Sequence, residues 1–263
     1  MSQWVRIGIK TRIKTTHYPA QAETAPGVSP GLPQGGAYAA ADVSSLVNLC
    51  PTKAISPGLV KDSLIVDYRR CIHCFRCVHG ATTPLRWEKG WQWAAGGQKC
   101  DGVASGPEGN RLGRVFARSV HIIVVDAGDC GACLNEVKQL NNPYYNMHRL
   151  GFFLTPTPRH ADILLVVGPL TEHMRLPLLK TYEAMPTPKR VIAVGACALS
   201  GGVFGPSFIS GAGVGQALPV DVQVPGHPPP PLAILHGLLV AVGRQTPATI
   251  TSGAPVSLEA TTR

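Results

Sequence analysis

The chain has 263 residues, enough for one large or two modest domains, with 29 glycines, 24 prolines, 44% hydrophobic residues and only 15% charged ones. That balance leaves apolar material for a core. It argues against collagen, since the glycines keep no three-residue period, and against a membrane span, since the best apolar run, 231–243, is short and holds His236. The net charge of +9 concentrates in residues 1–118, where 15 Lys and Arg face 7 Asp and Glu, a surface for nucleic acid, an anionic membrane or an acidic protein.

In chain order, residues 1–37 read as a basic N-terminal arm and linker. Trp4, Val5, Ile7, Ile9 and Ile13 alternate with Arg6, Lys10, Arg12 and Lys14, as in a short amphipathic helix at a membrane surface or a frayed basic arm. The start has no apolar signal-peptide core, so the expected location is cytoplasmic. In that compartment eight cysteines point to metal ligands rather than disulfides. Residues 38–90 form a compact cysteine-bearing unit, and 91–118, rich in glycine, read as a second linker.

From residue 119 the texture changes. The apolar runs 120–125, 161–168 and 191–194 predict strands buried on both faces. Helical stretches are expected near 132–141 and 172–185, the latter with Pro177 near its first turn, and near 231–243. Strands alternating with helices imply a parallel sheet and an α/β domain over 119–245. The tail, 246–263, is rich in Ser, Thr, Ala and Pro and reads as disordered.

Two constellations carry chemistry. Cys71, Cys74 and Cys77 have the spacing C-x2-C-x2-C, which wraps three corners of an iron–sulfur cube. A bacterial ferredoxin run would continue to a fourth cysteine, but that position is Ala81, and Cys50-Pro51 upstream supplies the missing ligand. The sister run would need ligands at Ala40, Val43 and Leu46 and has none. One [4Fe–4S] site therefore survives, held by Cys50, Cys71, Cys74 and Cys77; a structural four-cysteine zinc site is the alternative. His73 and His79 read as loop residues, and Arg69, Arg70 and Arg76 crowd the site.

The second constellation is Asp126-Ala-Gly-Asp129-Cys130-Gly-Ala-Cys133, which follows a strand and opens a helix. Cys197 follows the third strand, and both cysteine segments stand at strand carboxyl ends, where open α/β sheets bind cofactors. A thioredoxin-type redox pair is the competing reading of Cys130 and Cys133.

Residues 119–243 resemble the small, proximal-cluster subunit shared by respiratory complex I and the group 4 energy-converting [NiFe] hydrogenases, formate hydrogenlyase included. The resemblance is carried by Asp129-Cys-Gly-Ala-Cys133, Thr157-Pro-Arg-His-Ala-Asp162, Gly195-Ala-Cys197, Gly201-Gly202 and Pro219-Val-Asp-Val-Gln-Val-Pro-Gly226. Residues 1–90 resemble the ferredoxin-like iron–sulfur subunit of the same complexes, so the chain looks like a fusion of the two. The resemblance implies a flavodoxin-like parallel-sheet α/β domain preceded by a small ferredoxin-like α+β unit. It also implies a second cluster on Cys130, Cys133 and Cys197. The family's fourth cysteine is His227 here, and three arrangements stay open: His227 ligates through nitrogen, Cys100 substitutes, or the cluster is [3Fe–4S] or absent. The separation of Cys130 from Cys133 leans toward the hydrogenase branch, since complex I has adjacent cysteines there.

The function this implies is a non-catalytic electron-relay subunit of an oxidoreductase, with [4Fe–4S] clusters as cofactors. Its expected partners are a large catalytic subunit of hydrogenase or complex I type, membrane subunits of the same complex and an electron-donor protein, with no nucleic acid. Its expected place is the inner face of the membrane, peripherally bound. The alternatives are a zinc-stabilised nucleic-acid-binding protein and a degenerate scaffold without the second cluster. Arg159, His160 and Asp162 would face the large subunit or cluster by resemblance, and are solvated or capping by chemistry alone. Glu136 reads as a proton-path carboxylate or a solvated one, and His236 as a packed helix histidine.

Overall fold

A computed structural model describes residues 2–12, 14–21, 23, 29–97 and 119–248. Cys100 and the tail beyond 248, expected to be disordered, lie outside them. The first helix, α1 (Gln3–Thr11), buries no residue and leaves Trp4, Ile7 and Ile9 exposed beside Arg6 and Lys10.

The cysteine-bearing unit is α+β. Helix α2 (Ala40–Leu49) buries Leu46 against an antiparallel sheet. In that sheet β4 (Ser63–Val66) lies between β2 (Gly36–Ala37) and β3 (Ile55–Pro57). The one-turn helix α3 (Arg76–His79) follows the cysteine loop. A second pair, β1 (Leu32–Pro33) with β5 (Trp87–Glu88), closes the unit.

The larger sheet has six strands, in order β6 (Ala95–Gly96), β11 (Val222–Val224), β10 (Arg190–Val194), β9 (Ile163–Val167), β7 (Val120–Asp126), β8 (Phe152–Leu154). All neighbours are parallel except β6 on the edge. Counting only the parallel strands along the chain, the order is 2-1-3-4-5, that of a flavodoxin-like doubly wound sheet, whose switch point lies between the first and third strands.

The period-2 alternation divides the core. Ile122, Ile163, Leu165, Val167, Ile192 and Val194 face one side; Ile123, Leu164, Val166, Val191 and Ala193 face the other. The second face is covered by α5 (Glu172–Ala184), through Leu178, and by α6 (Gly195–Ser200), through Ala198. Pro177 sits in the interior of α5, beyond its first turn. The first face packs α4 (Ala132–Gln139) and α7 (Pro231–Ala241). A helix apolar all round must be buried on every side, and α7 is nearly so, starting on a proline at its first turn.

That first face is also where the two halves meet. Leu46, Leu64, Val66 and Tyr68 of the small unit belong to one hydrophobic cluster with Ile122, Leu165 and Leu235 of the large sheet. Parts of both stretches read as linkers are built into it. Thr16 donates its backbone N–H to Tyr144 O at 2.8 Å, Tyr18 and Leu32 are buried, and Trp91 and Trp93 are core residues. Ala95–Gly96 then pairs with β11 as the edge strand. Two polar contacts pin the seam: Ser200 Oγ donates to Arg69 O at 2.8 Å, and Trp93 Nε1–H donates to Pro225 O at 2.8 Å. His236 is buried in α7, as a packed histidine should be; its Nδ1 accepts from Ala94 N–H at 3.2 Å, and burial pushes its pKa down to about 4.

Candidate metal centres

Cys50 caps the carboxyl end of α2, Cys71 and Cys74 lie on the following loop, and Cys77 stands on α3. All four line one recess, walled otherwise by Pro33, Ala54, Ile55, Val66, Phe75 and Trp87. The loop doubles back because His73 and Phe75 take left-handed backbone conformations, φ 51° and 56°. Phe75 stacks on Trp87, ring centres 4.3 Å apart.

Burial pushes the Cys71 thiol up to about 12, reinforced by Cys77, Cys50 and Cys74, while the His73 backbone N–H opposes the rise. Burial raises Cys77 as well, and Trp87 opposes it. Trp87 Nε1 is buried with no partner at ordinary hydrogen-bond geometry among the described residues, yet its indole is near enough to Cys77 to act on the thiol. Ala54 N–H donates to Cys50 Sγ at 3.2 Å. Thiols in an apolar recess, ringed by N–H donors, fit an anionic iron–sulfur group. Arg76 lines this recess, whereas Arg69 and Arg70 pair with Asp67 and line a separate cleft toward Ser200 and Gly202.

The second set follows from sheet register. Asp126 aligns with Val167, Val167 with Val194, and Val194 with Val224, so four strands end in one row. From that row the chain runs on to Cys130 and Cys133, to Gly168, to Cys197 and to His227. Asp126 Oδ1 accepts the N–H groups of Gly128 and Asp129, and Asp129 Oδ2 those of Gly131 and Leu134, which shapes the loop and starts α4.

Cys133 is buried and Cys130 exposed. Burial raises the Cys133 pKa, and so do Asp129, Cys197, Cys130 and Glu136. Cys197 is raised by burial and by Cys130, with the Val203 backbone N–H opposing. Cys197 Sγ lies 3.8 Å from His227 Nδ1, and burial lowers the His227 pKa. The structure thus brings Cys130, Cys133, Cys197 and His227 together at one sheet edge. Two glycines make room for the sulfurs: a Cβ on Gly195 would come within 2.6 Å of Cys133 Sγ, and one on Gly202 within 2.6 Å of Cys197 Sγ. Among the described residues no three Cys, His, Asp or Glu side chains close around a single-ion point, and the first set lines the walls of its recess.

Other residues sort themselves. Asp162 Oδ2 accepts the His121 N–H at 2.8 Å at the amino ends of β7 and β9, with Arg159 and His160 beside it. That is the end of the sheet opposite the cysteines: Asp162 caps it, and Arg159 and His160 are exposed, the solvated or capping roles their chemistry alone suggests. Glu136 is half-buried, and burial raises its pKa. Trp87 and Trp93 escaped the sequence reading. The available signal was density: three of four tryptophans fall within 87–93, directly after the cysteine run.

Thiol accessibility makes these placements testable. In the metal-free chain, iodoacetamide is expected to label the exposed Cys74 and Cys130 first and Cys71 and Cys133 last. Alkylation requires both access and thiolate, and burial withholds both; rising pH increases the thiolate fraction and narrows the gap. Peptide mass spectrometry over a time course reads the order, and a Cys133 as fast as Cys130 would contradict it.

Residues 130–241 match the family model described as NADH ubiquinone oxidoreductase, 20 Kd subunit. Formate hydrogenlyase subunit 7 of Escherichia coli is 41% identical over 126 residues, 48% of this chain and 49% of that protein, so the chain spans about half of this relative. The probable membrane-bound hydrogenase subunit mbhJ of Pyrococcus furiosus is 43% identical over 132 residues, covering 50% of this chain and 79% of that one. A subunit of the NADH-quinone oxidoreductase of Carboxydothermus hydrogenoformans is 45% identical over 108 residues, 41% of this chain and 65% of that protein.

Proposed function

We propose that this chain, which belongs to the family of the NADH ubiquinone oxidoreductase 20 Kd subunit, is the electron-transfer subunit of a membrane-associated oxidoreductase of hydrogenase-like or complex I-like type. Its partners are a large catalytic subunit, membrane subunits and an electron-donor protein. The observation that carries this reading is the meeting of two donor sets at one seam. Cys50, Cys71, Cys74 and Cys77 ring one recess, while the strand ends gather Cys130, Cys133, Cys197 and His227. His73, on the loop of the first set, comes within electrostatic reach of His227 in the second.

Bound to each set, an iron–sulfur cluster would supply a one-electron carrier. The chain itself does no bond-making chemistry. Its thiols give up protons to hold the group, its N–H donors steady the added negative charge, and its apolar walls keep water away. The separation of Cys130 from Cys133 by Gly-Ala favours the hydrogenase branch. The basic first half suits an acidic electron donor. No helix among the described residues is long and apolar enough to cross a membrane. α1, with its exposed Trp4, Ile7 and Ile9 beside basic residues, favours peripheral contact with the membrane surface.

Anaerobic isolation of the full chain tests the reading. Iron and acid-labile sulfide of roughly eight each per chain, with two reducible signals by EPR, are expected for two four-iron groups. A colourless chain with bound zinc and salt-sensitive nucleic-acid binding would overturn it.

A further inference from the structure

The turn that carries His227 is pinned from two directions. Gly226 O accepts the N–H of Ala196, one residue before Cys197 on α6, at 2.7 Å. Gly226 itself has φ 141°, and a Cβ there would come within 2.5 Å of Pro229, so the turn folds tightly on itself. The second pin comes from the first half of the chain: Trp93 Nε1–H donates to Pro225 O at 2.8 Å.

Register explains how this tryptophan reaches the turn. Ala95 of β6 stands opposite Gln223 of β11 in an antiparallel pair, so two residues further out Trp93 comes opposite Pro225. Ala94 N–H, given to His236 Nδ1 at 3.2 Å, ties the same stretch to α7. Trp93 and Pro225 are both buried, so water cannot take over their bond. A buried carbonyl that loses its donor is costly, and the turn relieves that cost only by moving. His227 lies two residues on, with Nδ1 3.8 Å from Cys197 Sγ, and would move with it.

We propose that Trp93 is the positioning residue for His227: its indole N–H fixes the turn 225–227 so that the imidazole is held toward Cys197 and the rest of the second donor set. The assignment rests on the reading of His227 as a ligand. Groups that orient a ligand without touching the metal decide much of how firmly the metal group is kept. The edge strand β6 thereby does more than close the sheet, since it delivers the side chain that sets the fourth ligand.

Three forms of the full chain test this. Trp93→Phe removes the N–H and keeps an aromatic ring; benzothienylalanine at position 93 removes the N–H and keeps the shape of the indole. Trp91→Phe is the control, since Trp91 is also buried and gives its own Nε1–H to Glu23 O at 3.2 Å, away from His227. Pulsed EPR of the native chain first reads nitrogen hyperfine coupling on the second group, and its absence would end the ligand reading and this assignment with it. With coupling present, both changes at position 93 are expected to alter or abolish it. They should also release the second group's iron at roughly tenfold lower chelator concentration while the first group's signal persists. Trp91→Phe should keep the native coupling and chelator resistance. Native coupling and resistance in both position-93 forms would overturn the proposal. So would the same loss in Trp91→Phe, or a joint loss of both groups in the benzothienylalanine form, either of which assigns the effect to packing.

Discussion

A chain carrying Cys71→Ser is expected to retain roughly half of the iron and acid-labile sulfide of the native chain and to lose one of two EPR signals. Cys71 is in electrostatic contact with all three other members of its set, as Cys77 is, and its thiol is pushed up to about 12 by burial. Such a thiol gives up its proton when a metal binds, so loading of the site would release a proton and be favoured by rising pH. Serine offers a harder and far more basic oxygen in an apolar recess walled by Ile55, Val66 and Phe75. A cluster held there would also brace the loop between Cys71 and α3. Its loss should lower the thermal midpoint of the whole chain, because the small unit shares a hydrophobic cluster with the large sheet. Iron and sulfide assays with a melting curve read the result. Native iron content in Cys71→Ser would remove this residue from the ligand set.

His227 yields the second large effect. Cys197 Sγ and His227 Nδ1 already stand 3.8 Å apart, so a thiolate in place of the imidazole reaches the same pocket. Exchanging a neutral ligand for an anionic one adds a unit of negative charge beside the group and disfavours its reduction. His227→Cys is therefore expected to keep both groups and to move the potential of the second downward by on the order of 100 mV or more. His227→Ala removes the donor and should leave three cysteines, with a [3Fe–4S] signal or the loss of one group. Redox titration followed by EPR distinguishes these results. Native spectra in both variants would exclude His227 as a ligand.

Much of this architecture was legible from residues alone, for physical reasons. Strands buried on both faces must be continuous apolar runs, so 120–125, 161–168 and 191–194 announced β7, β9 and β10 almost to the residue. Cysteine spacing announced the first set, because a tight loop at C-x2-C-x2-C has few other uses. The second set was legible once the parallel order was inferred, since strand carboxyl ends collect on one edge. What escaped was fixed by distant partners. Ala95–Gly96 is a strand only because β11 offers an unpaired edge, and two residues carry no periodicity of their own. Trp93 looks like loop composition until Pro225 O is found beside it. Asp162 illustrates a choice the sequence left open: family likeness pointed it at the large subunit or the cluster and its own chemistry at a capping role, and its hydrogen bond to His121 N–H at the far end of the sheet is the capping one.

The Ser200–Arg69 and Trp93–Pro225 bonds and the common hydrophobic cluster make the spacing between the donor sets an intramolecular quantity. Two separate proteins would have to find one another before charge could pass, and dilution or ionic strength would govern how often they did. On the proposed relay function, encounter is replaced by permanent neighbourhood, so the rate of passage is expected to stay the same from a concentrated to a dilute solution of the chain.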